Sequence, residues 1–278
     1  MKRILLFLLT MTIPGLGLAD HPASWMTPVE PFRIVGNVWY VGTADLGSFL
    51  ITTPEGHILL DAPMEENVSQ LVGNIEKLGF DLSDIRILIN SHAHFDHAGG
   101  FASIREITGA ELVMSREDAA LASRGGRGDF AFGDRFAYPS VQADRILNDG
   151  ERISLGGTTL MAVFTPGHTR GSTSWVMDVE ERGTTYRVVV ANSLTAPEYR
   201  LIGNENYPAI VEDYRVSFEK LASMKADVFL APHGSFFRLA EKLSRLGGPT
   251  NPFIDSDALR SYVDRMRESF EKELAKQR

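Results

Sequence analysis

The run Ile85–Asn90 (IRILIN) is almost wholly apolar, and it gives way without a spacer to Ser91–Gly100, SHAHFDHAGG. A short segment apolar on both alternating faces reads as a strand covered on both sides, as in a parallel sheet flanked by helices. Three of the chain's seven histidines then fall within six residues at that strand's end, beside one aspartate. A buried strand that opens into a polar, glycine-backed loop is a scaffold delivering ligands to a rim.

The flanking segments repeat this α/β character. Residues 33–41 and 48–53 are β-rich, and Pro54-Glu55-Gly56 turns the chain into a third run ending at Asp61. Val68, Leu71, Val72, Ile75 and Leu78 recur at helical spacing, and a second helix is expected over 99–108. Further strands are expected at 111–114, 145–147, 152–155, 158–164, 173–178, 186–191 and 228–231. Helices are expected over 208–224 and 256–275, the last capped by Asp255 or Ser256. Residues 124–139 (RGGRGDFAFGDRFAYP) have no period and read as a loop. Strands followed by helices, twice over, predict an α/β four-layer αβ/βα sandwich, two sheets face to face with helices outside. The expected layout is one domain over residues 20–278.

His92 and His94 are two residues apart, so in an extended segment both imidazoles point to one side and could grip one ion. Asp96 continues that alternation, whereas the adjacent His97 points elsewhere, so the cluster offers parts of two sites. Completing them requires ligands from other strand ends. His168, in TPGHT after the strand ending at Phe164, and His233, in APHG after residues 228–230, are the candidates. His57 lies inside an expected strand and reads as a core histidine, and His21 lies near the start of the mature chain. Imidazole and carboxylate without thiolate suit zinc, with iron, cobalt and manganese left open.

The pattern His92-x-His94-x-Asp96-His97, followed by His168 and His233, resembles the metallo-β-lactamase superfamily. Three further stretches, GHTRGSTSW at 167–175, ANSLTAPEY at 191–199 and NPFID at 251–255, resemble the third subclass of the class B β-lactamases. The resemblance runs from about Trp39 to Glu273. It implies two zinc ions, one held by His92, His94 and His168, the other by Asp96, His97 and His233. Asp96 would also orient the nucleophilic water. Ser193 and Thr195 fall where the subclass has hydroxyls near the substrate carboxylate. Asn192 departs from the aspartate expected there, and Asp61 is either an orienting partner of a ligand or a structural cap.

The implied reaction is hydrolysis of the lactam amide of β-lactam antibiotics by a zinc-bound hydroxide, since zinc brings the pKa of bound water to about 7. Two zinc ions, Asp96 and hydroxide sum to +2 (4 − 1 − 1), which favours an anionic substrate and stabilises developing negative charge. The chain has neither a GxSxG elbow nor a cysteine, so no serine or thiol nucleophile competes. Another zinc hydrolase of the same fold (lactonase, thioesterase or phosphodiesterase) is the alternative reading, and a non-catalytic zinc-binding protein the remaining one.

The first residues, MKRILLFLLTMTIPGLGLAD, have the charged start, short apolar run and small-residue end of a signal peptide cleaved after Ala19. Loss of Lys2 and Arg3 takes the formal charge from −8 to −10 (−8 − 2), an acidic balance that argues against nucleic acid as partner. No later segment is apolar enough to span a membrane, and the absence of cysteine suits an oxidising periplasm, where such antibiotics act. A monomer acting on a small molecule is expected.

Overall fold

The computed structural model describes residues 21–278; the expected signal peptide lies outside them. A short helix α1 (Ala23–Met26) precedes strands β1 (Phe32–Val35), β2 (Val38–Tyr40), β3 (Phe49–Thr53) and β4 (Gly56–Leu60). Then follow α2 (Val68–Lys77), β5 (Ile85–Ile89), α3 (Phe95–Ala98), α4 (Phe101–Thr108), β6 (Glu111–Ser115), α5 (Arg116–Ala122) and β7 (Arg145–Leu147). The second half comprises β8 (Arg152–Leu155), β9 (Thr158–Phe164), β10 (Thr173–Glu181), β11 (Thr184–Val190), α6 (Ile210–Ala222), β12 (Val228–Leu230), α7 (Leu239–Ser244) and α8 (Ala258–Lys276).

The strands form a seven-stranded sheet in the order β1 to β7 and a five-stranded sheet ordered β12-β11-β10-β9-β8. The first sheet begins as an antiparallel meander and turns parallel from β4 to β7; the second is antiparallel except where β12 joins β11. Alternation sorts its side chains as a two-sided strand requires. Leu50, Leu59, Leu88 and Leu112 pair across successive strands and share a core with Leu71 and Ile75 of α2 and Phe101 and Ile104 of α4. Their neighbours Phe49, Ile51, Ile58, Leu60, Ile87 and Ile89 face the other sheet, against Leu160, Trp175, Met177 and Val190. Helices α6 and α8 cover the second sheet, with Phe229 of β12 stacked on Tyr262 of α8, 4.9 Å between ring centres. The four-layer arrangement stands.

Local expectations differ in three places. Residues 33–41 are not one strand: the chain turns at Gly36-Asn37, Gly36 in a left-handed conformation, and β1 pairs back on β2. Helices α5 and α7 were not expected, because seven and six residues carry too little periodicity to stand out. Helix α8 starts at Ala258 with Asp257 as N-cap and no side-chain cap bond, while Asp255 accepts from the Asp257 amide instead. His57 sits in β4, buried, its ring edge-on to Phe80 as a core histidine would be.

Candidate metal centre

The C-terminal ends of β5, β9 and β12 open on one cleft between the sheets. After β5 the chain bends at Ser91 and reaches His94 in an extended conformation, and His92 and His94 bring ligand atoms to one place. The alternation does not run on to Asp96. Residues 95–98 form the single helical turn α3, closed by the His97 and Ala98 amides donating to the His94 carbonyl at 3.0 and 2.8 Å. That turn, rather than strand alternation, swings Asp96 and His97 to a second position. His168 follows β9 in a loop where Gly167 has φ +134° and a Cβ would meet the Tyr214 ring at 2.8 Å. Only glycine fits there, and its close packing fixes the backbone that presents His168.

The six side chains converge in two groups. His92, His94 and His168 bring ligand atoms within 4.8 Å of one another, with His94 Nδ1 and His168 Nε2 3.2 Å apart. Beside them, His97 Nε2 lies 3.2 Å from His233 Nε2 and 3.1 Å from Asp96 Oδ2, which is 3.5 Å from His233 Nε2. His92 also groups with Asp96 and His97, so the two positions are adjacent.

The outward nitrogens fix which lone pairs face inward. Ser91 Oγ donates to Asp61 Oδ2 at 2.6 Å, so it can only accept from His92 Nδ1–H at 3.1 Å. His168 Nδ1 donates to the Thr195 carbonyl at 2.7 Å. His97 Nδ1 faces Asp61 Oδ2 at 3.5 Å, His233 Nδ1 faces Asp45 Oδ2 at 3.2 Å, and His94 Nε2 faces Asp129 Oδ2 at 3.4 Å. Each acceptor commits the outward proton and leaves the inward nitrogen free to bind a cation.

The sequence profile of the Metallo-beta-lactamase superfamily matches residues 48–233, well over half of the chain. The chain belongs to the metallo-β-lactamase superfamily. Among solved structures it is similar to a Cronobacter sakazakii metallo-β-lactamase with a HARLDQ motif: 47% identity, 92% of this chain and 98% of that one, TM-score 0.88. It is also similar to the subclass B3 metallo-β-lactamase BJP-1 of Bradyrhizobium japonicum, at 40% identity over 91% and 97% of the chains and TM-score 0.87. A class B3 di-zinc metallo-β-lactamase from an Alaskan soil metagenome, LRA-12, matches at 36% over 92% and 98% with TM-score 0.87. The chain spans about half the length of the first curated relatives it matches. Against the HARLDQ motif this chain reads HAHFDH, placing His94 and His97 where that motif has arginine and glutamine.

Within this metallo-β-lactamase fold the charges divide between the two groups. Burial and the neighbouring imidazoles hold His92 well below the usual histidine range and His168 down to about 3, so both stay neutral. Burial opposes charge on His97 too, but Asp96 and Asp61 outweigh it and raise His97 to about 10. Burial likewise works against the Asp96 carboxylate, yet His97 and His233 hold its pKa well below the ordinary value. The second group is therefore a corner where carboxylates favour positive charge.

A cleft of about 550 Å³ opens above both groups, a size suited to a small molecule. His94, Asp96, His168, His233 and Thr195 line its floor, and Trp25, Phe95, Phe132 and Phe136 its walls. Thr195 thus reaches the cleft. Ser193 is buried below it, its hydroxyl 3.0 Å from that of Thr195. Asn192 is buried and donates to the Ser193 carbonyl at 2.9 Å. Asp61, at φ 62°, accepts from the Ser91 amide and hydroxyl, both at 2.6 Å, and faces His97, so it braces both Ser91 and His97. Sequence reasoning missed Asp45, Asp129 and the wall formed by His21 and Trp25. Trp25 Nε1 donates to Asp45 Oδ2 at 3.2 Å, and none of these residues carries a spacing signal.

Proposed function

We propose that this chain is an exported binuclear zinc β-lactamase that opens the lactam amide of β-lactam antibiotics. The observation that carries the reading is the pair of three-residue groups: Asp96, His97 and His233 bring their inward atoms 3.1–3.5 Å apart, and beside them His94 Nδ1 lies 3.2 Å from His168 Nε2 with a His92 nitrogen within 4.8 Å. Zinc–nitrogen bonds of about 2.0–2.1 Å in a tetrahedron give ligand–ligand edges of about 3.3 Å, which the measured 3.1–3.5 Å separations match. His92, His94 and His168 would hold one ion, and Asp96, His97 and His233 the other. Bound there, zinc supplies Lewis acidity and makes a coordinated water acidic near neutral pH.

The chain's own groups supply the rest. Asp61, Ser91, Asp45 and the Thr195 carbonyl keep the imidazoles in the tautomer that binds metal. Asp96 also orients the attacking water through its carboxylate. The Thr195 hydroxyl on the cleft floor, with Ser193 hydrogen-bonded beneath it, suits the carboxylate of a β-lactam. The aromatic walls give the cleft an apolar side suited to an acyl substituent. The similar subclass B3 structures, aligned over nearly their whole length, support the substrate class.

The chain is expected to start at Asp20 in the periplasm and to act as one catalytic domain, without nucleic acid as partner. Among the described residues, no helix is long and apolar enough to cross a membrane. Zinc content per purified chain, measured with hydrolysis of a penicillin, a cephalosporin and a carbapenem, tests the proposal. Two zincs and lactam opening that is lost in chelator and restored by zinc are expected. Zinc binding with turnover of a lactone or thioester, and of no β-lactam, would instead favour the hydrolase chemistry of relatives such as hydroxyacylglutathione hydrolase of Maricaulis maris.

A further inference from the structure

We propose that Asp129 is a positioning residue that couples the first metal position to the loop forming one wall of the cleft. The inference rests on the zinc reading above and goes beyond it, because it assigns a role to a residue that binds no ion and touches no substrate. Asp129 is 8% exposed, in the segment between α5 and β7, and its two carboxylate oxygens have different partners. Oδ1 accepts from the Ala131 and Phe132 amides, each at 2.8 Å. The Asp129 and Gly133 backbones exchange hydrogen bonds at 3.1 and 3.0 Å, so this oxygen staples a tight turn.

Oδ2 points the other way, to His94 Nε2 at 3.4 Å. Both atoms are buried and make no full hydrogen bond to any group, so this 3.4 Å contact is the polar contact that joins them. A buried carboxylate oxygen and a buried ring nitrogen facing nothing polar would each be costly, and a ring N–H aimed at the carboxylate, though longer than an ordinary hydrogen bond, offsets both. Oδ2 can only accept. It therefore fixes the His94 proton on Nε2 and leaves the lone pair on Nδ1, the nitrogen that faces His168.

The staple holds more than a histidine. Phe132, whose amide it binds, lies edge-on to the His94 ring at 5.5 Å and to Phe136 at 5.2 Å. Both phenylalanines line the cleft. One carboxylate thus ties the His94 tautomer to the position of the aromatic wall. Thermodynamic reciprocity then requires an ion that favours this tautomer to favour the ordered wall as well.

The test is Asp129→Asn. Its amide oxygen can still accept from Ala131 and Phe132, so the turn survives. Its NH₂, however, faces His94 Nε2 and favours the tautomer with the proton on Nδ1. Competition titration of zinc against a chelator should resolve two stepwise constants. One should weaken about 10- to 100-fold in the variant while the other stays within a few-fold. Amide hydrogen exchange over residues 130–136 should slow on zinc loading in wild type, and this response should shrink in Asp129→Asn. Unchanged constants and an unchanged loop response in the variant overturn the role of Asp129. So does equal weakening of both ions with a loop that exchanges faster whether or not zinc is present, the result of a merely structural residue. If wild type itself binds no zinc, the metal reading fails rather than the coupling.

Discussion

Four of the six side chains that converge on the cleft come from one stretch after β5, in the seven-stranded sheet. The five-stranded sheet contributes one histidine from each of two strand ends, His168 after β9 and His233 after β12. The first contribution is local: an extended segment and a helical turn, braced by Asp61. The second depends on tertiary packing, since 65 residues separate two histidines that must arrive beside the same stretch. Yet each three-atom group draws on both sheets. An ion at either position would cross-link the two halves of the molecule, so binding and sheet-to-sheet packing stabilise each other.

That difference can be attacked most directly at the two isolated ligands. His168→Ala and His233→Ala should each lower zinc content from two ions per chain to about one, His233→Ala emptying mainly the Asp96–His97 position. β-Lactam hydrolysis should fall on the order of 10²- to 10³-fold, the loss of several kcal/mol of charge stabilisation. Full occupancy in either variant would refute the ligand assignment. The cross-link itself predicts an effect on stability of comparable size. Zinc at about 1,000 times its dissociation constant should stabilise the fold against urea by about 4 kcal/mol per site. Each histidine variant should lose one site's share. A zinc-insensitive wild-type transition would mean that the halves are joined without the ions.

A third tie between the halves needs no metal. Asp118, at the start of α5 in the first half, accepts from Thr169 beside His168 at 2.9 Å and from Asn90 at 2.8 Å. Gly171 lets that loop approach, since a Cβ there would lie 2.3 Å from Ser115 Oγ. Burial pushes Asp118 up to about 6, and its hydrogen bonds only partly offset the rise. This is above the value of about 4 for an unfolded aspartate, so the folded chain takes up a proton between about pH 6 and pH 4. The linked stability is complete below about pH 4 and lost as pH rises through 6. Urea unfolding of wild type, referred to Asp118→Asn, should therefore lose about 2 kcal/mol between pH 4.5 and 7.5. A flat difference would remove Asp118 from this role.

The unequal halves also explain what could be read from residues alone. Near-continuous apolar runs such as 85–89 and period-2 leucines define strands whatever their neighbours, and the four layers followed from their alternation with helices. Imidazoles after β5 declared a metal-binding chemistry, and incomplete ligand sets pointed to His168 and His233. The turn at Asp96 was misread because four residues of helix leave no periodic trace. Asp45 and Asp129 were invisible for a different reason. They reach their histidines across 188 and 35 residues of chain, and single aspartates in loops read as turn formers.

Asp61 holds a left-handed backbone conformation that a glycine would adopt with less strain. Glycine would relieve that strain of about 1–2 kcal/mol, yet leave the buried Ser91 amide and hydroxyl without their acceptor, at about 1–3 kcal/mol each. It would also delete the carboxylate that steadies Ser91, and through it His92, together with His97. Position 61 is therefore where durability and site geometry ask a lineage for the same side chain, the strained backbone being the cost of both.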